Sequence, residues 1–172
     1  MKENKLKSVA SSILRDEGQE LIDASDRISN SVVQACELII NHPGKIVICG
    51  MGKSGLIAQK IVATLCSIGN KAVFLHAAEA AHGDLGIYAP GDPTILISKS
   101  GSTDELVKLI PILKEFNSPL IGILGNMKSS LIEHMDIILD ASVSKEVDPL
   151  GLVPTASTTL TLAIGDAIAA VI

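Results

Sequence analysis

Tryptophan is absent from the sequence, which holds one tyrosine and two phenylalanines. Single-stranded nucleic acid would find few rings to stack on. Basic residues are also short: 14 Lys and Arg against 19 Asp and Glu leave a net charge of −5. That balance lacks the basic footprint of a duplex binder, so no nucleic-acid partner is expected. No apolar run approaches the roughly 18 residues of a membrane span, so no membrane partner is expected. The opening stretch "MKENKLKSVASSILRDEGQE" has no apolar core of the secretory type, and the expected location is the cytoplasm. Cys36, Cys49 and Cys66 form no C-x-x-C pair, which excludes zinc-ribbon and thioredoxin readings. Each sits among apolar neighbours, and buried, reduced thiols are expected.

Apolar residues nevertheless make up 47% of the 172 positions. With so few aromatics, the core must be built from Leu, Ile, Val and Ala. That composition suits helices packed on a parallel sheet, and the length suits one domain.

Residues 3 to 41 read as helical, with Val9, Ile13, Leu21, Ile28, Val32, Val33, Cys36, Ile39 and Ile40 near helical spacing. Gly18 marks a local weakness, and the polar stretch "DASDRISNS" offers caps for a break. Pro43 and Gly44 end the segment. "KIVICG", "KAVFLH", "DPTILIS", "PLIGILG" and "MDIILD" then read as five strands. "KSGLIAQKIVATLCSIG", "STDELVKLIPILKEF" and "PTASTTLTLAIGDAIAAVI" read as helices between and after them. Pro111 should bend its helix or lie near its start. "AAEAAHGDLG" reads as a polar connection. Strands alternating with helices predict an α/β fold with a doubly wound, five-stranded parallel sheet of the flavodoxin-like kind.

In such a sheet, four polar segments meet beyond the carboxyl ends of the strands: "GMGKSG", "HAAEAAHGDLG", "SKSGSTDE" and "SKEVDPLG". The first contains Gly-Lys-Ser, but a P-loop needs a glycine where Val47 stands, so that reading fails on spacing. Gly50, Gly52 and Gly55 match the dinucleotide pattern G-x-G-x-x-G, yet Leu75 and His76 occupy the place where an acid should hold a ribose. What survives is the physics common to both motifs: a glycine turn entering a helix offers N–H groups to an anion. Ser98, Ser100, Ser102 and Thr103 crowd a second such turn around Gly101. Capping uses one hydroxyl, so four leave a surplus that suits phosphate oxygens; simple capping is the alternative.

These segments, together with "KEVDPLGLVPTASTT" and "LAIGDA", resemble the sugar isomerase (SIS) domain family, in particular its arabinose-5-phosphate isomerase branch. The resemblance runs from residue 45 to the end; "HGDLG" with "PTASTT" marks the branch, while G-x-G-x-S and S-x-S-G mark the wider domain. It implies a single SIS domain over residues 1–172, with residues 1–42 serving packing and oligomerisation and residues 45–172 forming the sugar-phosphate-binding core. It implies interconversion of D-arabinose 5-phosphate and D-ribulose 5-phosphate through a cis-enediol, without a cofactor. The product would supply Kdo synthesis for lipopolysaccharide or capsule. It also implies a homotetramer built as a dimer of dimers. The substrate and phosphate site would draw on Gly52, Ser54, His76, Ser98, Ser100, Ser102 and Thr103.

Such a reaction needs a base, a proton shuttle and a stabiliser of enediolate charge. Lys53, His82, Glu105 and Glu146 match the family positions where that chemistry is placed. Lys53 would face the developing oxyanion, and His82 would assist ring opening or proton shuttling. Glu146 or Glu105 would move the proton or orient the group that does. Each has a plainer alternative. Lys53 is otherwise a solvated helix-start lysine, His82 a loop histidine bonded to backbone, and Glu105 an acid suited to a helix N-terminus. Glu146 beside Lys145 is otherwise a surface pair. His76, Glu79 and His82 match no zinc spacing, so no resident metal is expected, though adventitious zinc is compatible. Ser102 stands where many relatives have Glu. Many relatives carry CBS modules, and the expectation here is an isomerase domain without them; relatives also continue into an "HPGG"-like stretch with a functional histidine, which leaves a truncated domain, a further C-terminal segment or a reduced catalytic set as alternatives. A non-catalytic sugar-phosphate sensor, or an isomerase of another phosphosugar, is the alternative.

Overall fold

The computed structural model describes residues 2–172. Five short β-rich runs form five strands: β1 (Ile46–Gly50), β2 (Ala72–His76), β3 (Thr94–Ser98), β4 (Leu120–Leu124) and β5 (Ile137–Asp140). All pair in parallel, in the order β2-β1-β3-β4-β5, which is the flavodoxin-like order expected. β1, β3 and β4 are buried along their whole length, and the edge strands β2 and β5 only in part. Because every pairing is parallel, all five carboxyl ends leave the sheet at one edge. The order reverses between β1 and β3, so the turns after these two strands flank the crevice where such folds bind ligands.

The helices are α1 (Lys2–Ile40), α2 (Gly52–Ser67), α3 (Ala77–Ala80), α4 (Asp104–Glu115) and α5 (Ala156–Val171). Alternation along the strands divides the core in two. Ile48, Ile95, Ile97, Ile121 and Leu139 face α1, α2 and α5. Cys49, Leu75, Leu96, Leu120 and Leu124 face α3 and α4. The absence of bulky aromatics lets helices sit close: a Cβ on Gly165 of α5 would fall 2.3 Å from Ile61 Cδ1 of α2.

Helix α1 is continuous over 39 residues, about 58 Å at the usual rise, so neither Gly18 nor "DASDRISNS" breaks it. Its later turns bury Ala24, Ile28, Val32, Ala35, Cys36 and Ile39, while Leu6, Val9, Leu14, Ile22, Val33 and Ile40 remain exposed. Three other expectations need correction. "AAEAAHGDLG" is not only a polar connection, since it folds as α3 and a 3-10 turn at Asp84–Ile87. Pro111 lies inside α4 rather than near its start; it is exposed, so the missing N–H falls on the solvent side. Cys36 and Cys49 are buried, but Cys66 is exposed near the end of α2.

Two glycines predict opposite outcomes. Gly18 sits mid-helix with nothing within 4 Å of an added Cβ, so Gly18→Ala should stabilise the fold by about 0.5–1 kcal/mol. Gly165→Ala should destabilise it by about 1–3 kcal/mol, because buried Ile61 must shift. Urea unfolding of both variants checks the two signs.

Candidate functional site

The turn from β1 into α2 is tight by construction. An added Cβ would meet the Ser54 backbone at 3.1 Å from Gly50, and the Gly50 carbonyl at 3.2 Å from Gly55. Gly52 takes φ +53°, where a side chain is strained. Met51 at the N-cap position supplies no side-chain cap, and the first turn of α2 holds no acid. The N–H groups that open this helix are therefore unspent. Lys53 stands in that same turn, exposed and without an ion pair among the described residues. A lone cation at a helix N-terminus is unfavourable for stability.

The turn from β3 into α4 uses its hydroxyls in an unexpected way. Ser98 Oγ accepts from Gly101 N at 2.9 Å and lies 3.0 Å from Thr103 Oγ1. Ser100 Oγ accepts from Ser102 N at 3.3 Å. Thr103 occupies the N-cap position of α4, yet its side chain makes no capping bond. Ser98 and Ser100 thus bond the turn's own backbone, while the Thr103 hydroxyl is not used as a cap. Ser54, Ser98, Ser100 and Thr103 border one open depression with Lys99 and Asn126. Ser102 is exposed and does not border it.

Beside this depression lies a second, bordered by Lys53, Ser54, Ser98, Lys99, Ser157 and Thr158. Glu146 anchors its far wall. It is not a surface partner of Lys145, which pairs with Asp16 of α1 at 2.9 Å. The Glu146 side chain is 3% exposed. Its Oε2 accepts from Thr155 N at 2.8 Å, Thr155 Oγ1 at 2.9 Å and Ser157 N at 3.2 Å. Its Oε1 accepts from Ser157 Oγ and from the Lys99 ammonium. The carboxylate thereby caps α5 from outside the helix. Burial alone would raise its pKa, but Lys99, Ser157 and the backbone N–H groups of Thr155 and Ser157 outweigh burial and hold it at about 2.

The remaining candidates lie elsewhere in the same chain. Gly52 and Lys53 share a third depression with His76, whose Nδ1 is buried without a hydrogen-bond partner. His82 and Glu105 share a cleft between α3 and α4 with Ala81 and Lys108. His82 is exposed, and its backbone N–H donates to Glu79 O at 2.9 Å. One chain therefore gathers Lys53 with the serines, and His82 with Glu105, but does not bring the two groups into one depression. Among the described residues, no group of three or more His, Cys, Asp or Glu is placed to hold a metal. The sequence reading did not single out Lys99, Asn126, Thr155 or Ser157. Lys99 had a signal, as a cation between two serines of the hydroxyl-rich turn. Asn126 had none, since it follows β4, whose turn carried no motif.

The low pKa of Glu146 has a thermodynamic sign. A folded value of about 2 lies below the ordinary carboxylate value near 4.3, so the unfolded chain binds the proton more readily. The stabilisation is full above that ordinary value and is lost as pH falls through about 2. Glu146→Gln should therefore cost on the order of 3 kcal/mol at pH 7, and the difference from wild type should shrink as pH approaches 2. Urea unfolding at pH 7, 4 and 2.5 tests this, and a gap that did not close on acidification would rule it out.

A family model described as the SIS domain matches residues 39–171. The arabinose 5-phosphate isomerase KdsD of Pseudomonas aeruginosa is 48% identical over 143 residues, 83% of this chain and 44% of that protein. The arabinose 5-phosphate isomerase KpsF of Escherichia coli is 46% identical over 157 residues, 91% of this chain and 50% of that protein. The chain thus spans about half the length of the curated relatives it matches. Among solved structures, the c3406 protein of E. coli CFT073 in complex with arabinose 5-phosphate superposes with a TM-score of 0.93 at 36% identity, covering 99% of this chain and 91% of that one. Sheet order, glycine turn and these matches agree: the chain belongs to the SIS domain family.

Proposed function

We propose that this domain isomerises a pentose phosphate, interconverting D-arabinose 5-phosphate and D-ribulose 5-phosphate. The observation that carries the reading is the depression bordered by Ser54, Ser98, Ser100 and Thr103, set against the uncapped start of α2. Hydroxyls, free N–H groups and nearby lysines suit a phosphate monoester. Its relatives' named substrate supports the pentose. Kdo synthesis for lipopolysaccharide or capsule is the metabolic use we assign to the product, and the cytoplasm its location. No helix among the described residues is long and apolar enough to cross a membrane.

The chemistry follows from the placement. A base removes the C2 proton of the open aldose, the carbonyl O1 becomes the enediolate oxygen, and the same proton returns to C1. The O2 proton is surrendered as the ketone forms, and O1 takes one up. Lys53, unpaired beside the phosphate depression, is the cation for the enediolate charge. Glu146 is saturated with donors and held at about pKa 2, which makes it a poor base at neutral pH. We assign it to holding Lys99 and the start of α5, and we assign the carbon-bound proton to Glu105. His82, in the same cleft as Glu105, serves the oxygens. We place Gly52, His76 and Ser102 at the periphery of the substrate.

The split between Lys53 and the His82–Glu105 pair supports assembly. The exposed apolar residues of α1 would be covered by a second copy, and a dimer of dimers would let one subunit's cleft complete another's depression. Residues 1–42 would then be the assembly element of a single SIS domain.

Lys53→Met should bind arabinose 5-phosphate within a few-fold of wild type while turnover falls by roughly 100-fold, the scale of one lost electrostatic contact. Calorimetry paired with a ribulose 5-phosphate assay reads both; normal turnover with much weaker binding would move Lys53 to the phosphate instead. Sedimentation should show a tetramer at micromolar concentration. After subunit exchange, a mixture of Lys53→Met and His82→Ala should recover part of the activity each lacks alone. A monomer, or a mixture as inactive as its parts, would refute the shared site.

A further inference from the structure

Lys99 borders both depressions at the strand edge. In the first it is the one cation, and no acid borders that space among the described residues. In the second it shares the lining with Lys53 and donates to Glu146 Oε1. Its side chain is 46% exposed, whereas that of Glu146 is 3% exposed. The pair is therefore lopsided: a buried carboxylate holding a lysine that reaches solvent.

Glu146 does not depend on that lysine alone. Thr155 N, Thr155 Oγ1, Ser157 N and Ser157 Oγ already donate to it. Three of these reach Oε2 and one reaches Oε1, so both oxygens keep a donor when Lys99 leaves. The start of α5 adds its dipole on the same side. Departure of Lys99 would leave no bare buried charge, the condition that makes most buried pairs costly to break. The lysine itself is a point charge on a flexible four-carbon stem. A phosphate monoester among the neighbouring hydroxyls would carry a charge of roughly −1.5 to −2, against −1 for the carboxylate.

We propose that Lys99 is the phosphate-binding cation of this site, held on Glu146 while the site is empty and transferring to the phosphate when ligand enters. The inference rests on the sugar-phosphate reading of the site and adds a residue to it. It separates the two lysines at the strand edge: Lys99 serves the phosphate, and Lys53 serves the reacting oxygens. It also makes phosphate binding release the tie between the β3–α4 turn and the start of α5.

Calorimetric titration of wild type, Lys99→Met and Lys99→Arg with inorganic phosphate and with arabinose 5-phosphate tests it. Lys99→Met should weaken both ligands by about 10- to 100-fold, the range for one hydrogen bond to a charged group. Lys99→Arg should recover most of that loss. The unliganded melting temperature of Lys99→Met should fall less than that of Glu146→Gln, because Glu146 keeps its other donors. Unchanged affinity for both ligands would overturn the proposal. So would a melting temperature several degrees lower with binding intact, which would make the pair structural. A fall in kcat with affinity unchanged would assign Lys99 to the reaction and overturn it as well. A crystal structure with phosphate bound and Lys99 still on Glu146 would overturn the transfer. Wild-type protein that bound inorganic phosphate through Lys99 but ignored arabinose 5-phosphate would uphold Lys99 and overturn the pentose reading.

Discussion

The carboxylate of Glu146 is the point on which the ligand-facing edge depends. A buried charge is tolerated only when it is surrounded by donors, and here the donors come from separate parts of the chain. The loop after β5 brings the acid, the start of α5 brings Thr155 and Ser157, and the turn after β3 brings Lys99. Three connections that no sheet hydrogen bond could align are thereby held at fixed distance. The loop that carries Glu146 is itself held by α1. Glu20 accepts from Ser144 N at 3.0 Å, Arg27 donates to Ser142 O at 2.8 Å, and Lys145 reaches Asp16. The long first helix is thus part of the site's support as well as a packing surface.

Around that fixed wall, the glycine and serine turns are built against local stability. Met51 caps nothing, Lys53 stands at the wrong end of its helix, and the Thr103 hydroxyl lies on Ser98 instead of capping α4. Each choice forgoes up to about 1 kcal/mol that a conventional cap or first-turn acid would supply. The rest of the fold absorbs this easily, since both faces of the sheet are sealed by fully buried aliphatic residues. Local rules broken together at one strand edge are what a ligand site looks like in physical terms.

The sheet was legible in the sequence because its signal is redundant. Short β-branched runs, glycine ends and alternating helices all specify the same parallel order, and the five strands lie within two residues of where the pattern put them. The errors fell where the signal was ambiguous. Polar residues in α1 read as a possible break, but a helix packed along α5 and β5 tolerates them on its outer face. Cys66 read as buried from its neighbours in sequence, while its position on α2 turned it outward. At the candidate site, the serines of the two turns were named from the sequence and do border one depression, whereas the contacts of Glu146 had no local signal. Glu146 beside Lys145 looks like a surface pair until α1 takes the lysine and α5 takes the acid, across sequence separations that local patterning does not carry.

The same contrast explains why two lysines at one edge need not share a role. Lys53 comes with its turn: a short segment places it beside unspent N–H groups, with no partner among the described residues to satisfy or neutralise it. Lys99 comes with a tertiary contact, and its charge is already balanced by Glu146. An unbalanced cation adds its field to whatever charge develops nearby, and it does so without first giving up another bond. A balanced cation contributes only after an exchange, so it responds to a charge that arrives whole and stays, as a phosphate does. On the function proposed, charge that appears and vanishes within the reaction falls to Lys53, and the permanent charge of the ligand falls to Lys99. The difference between these residues is therefore written in their partners, and on the proposed reading the glycine turn with its anion-binding N–H groups is only half of the arrangement that would distinguish a phosphate from an enediolate.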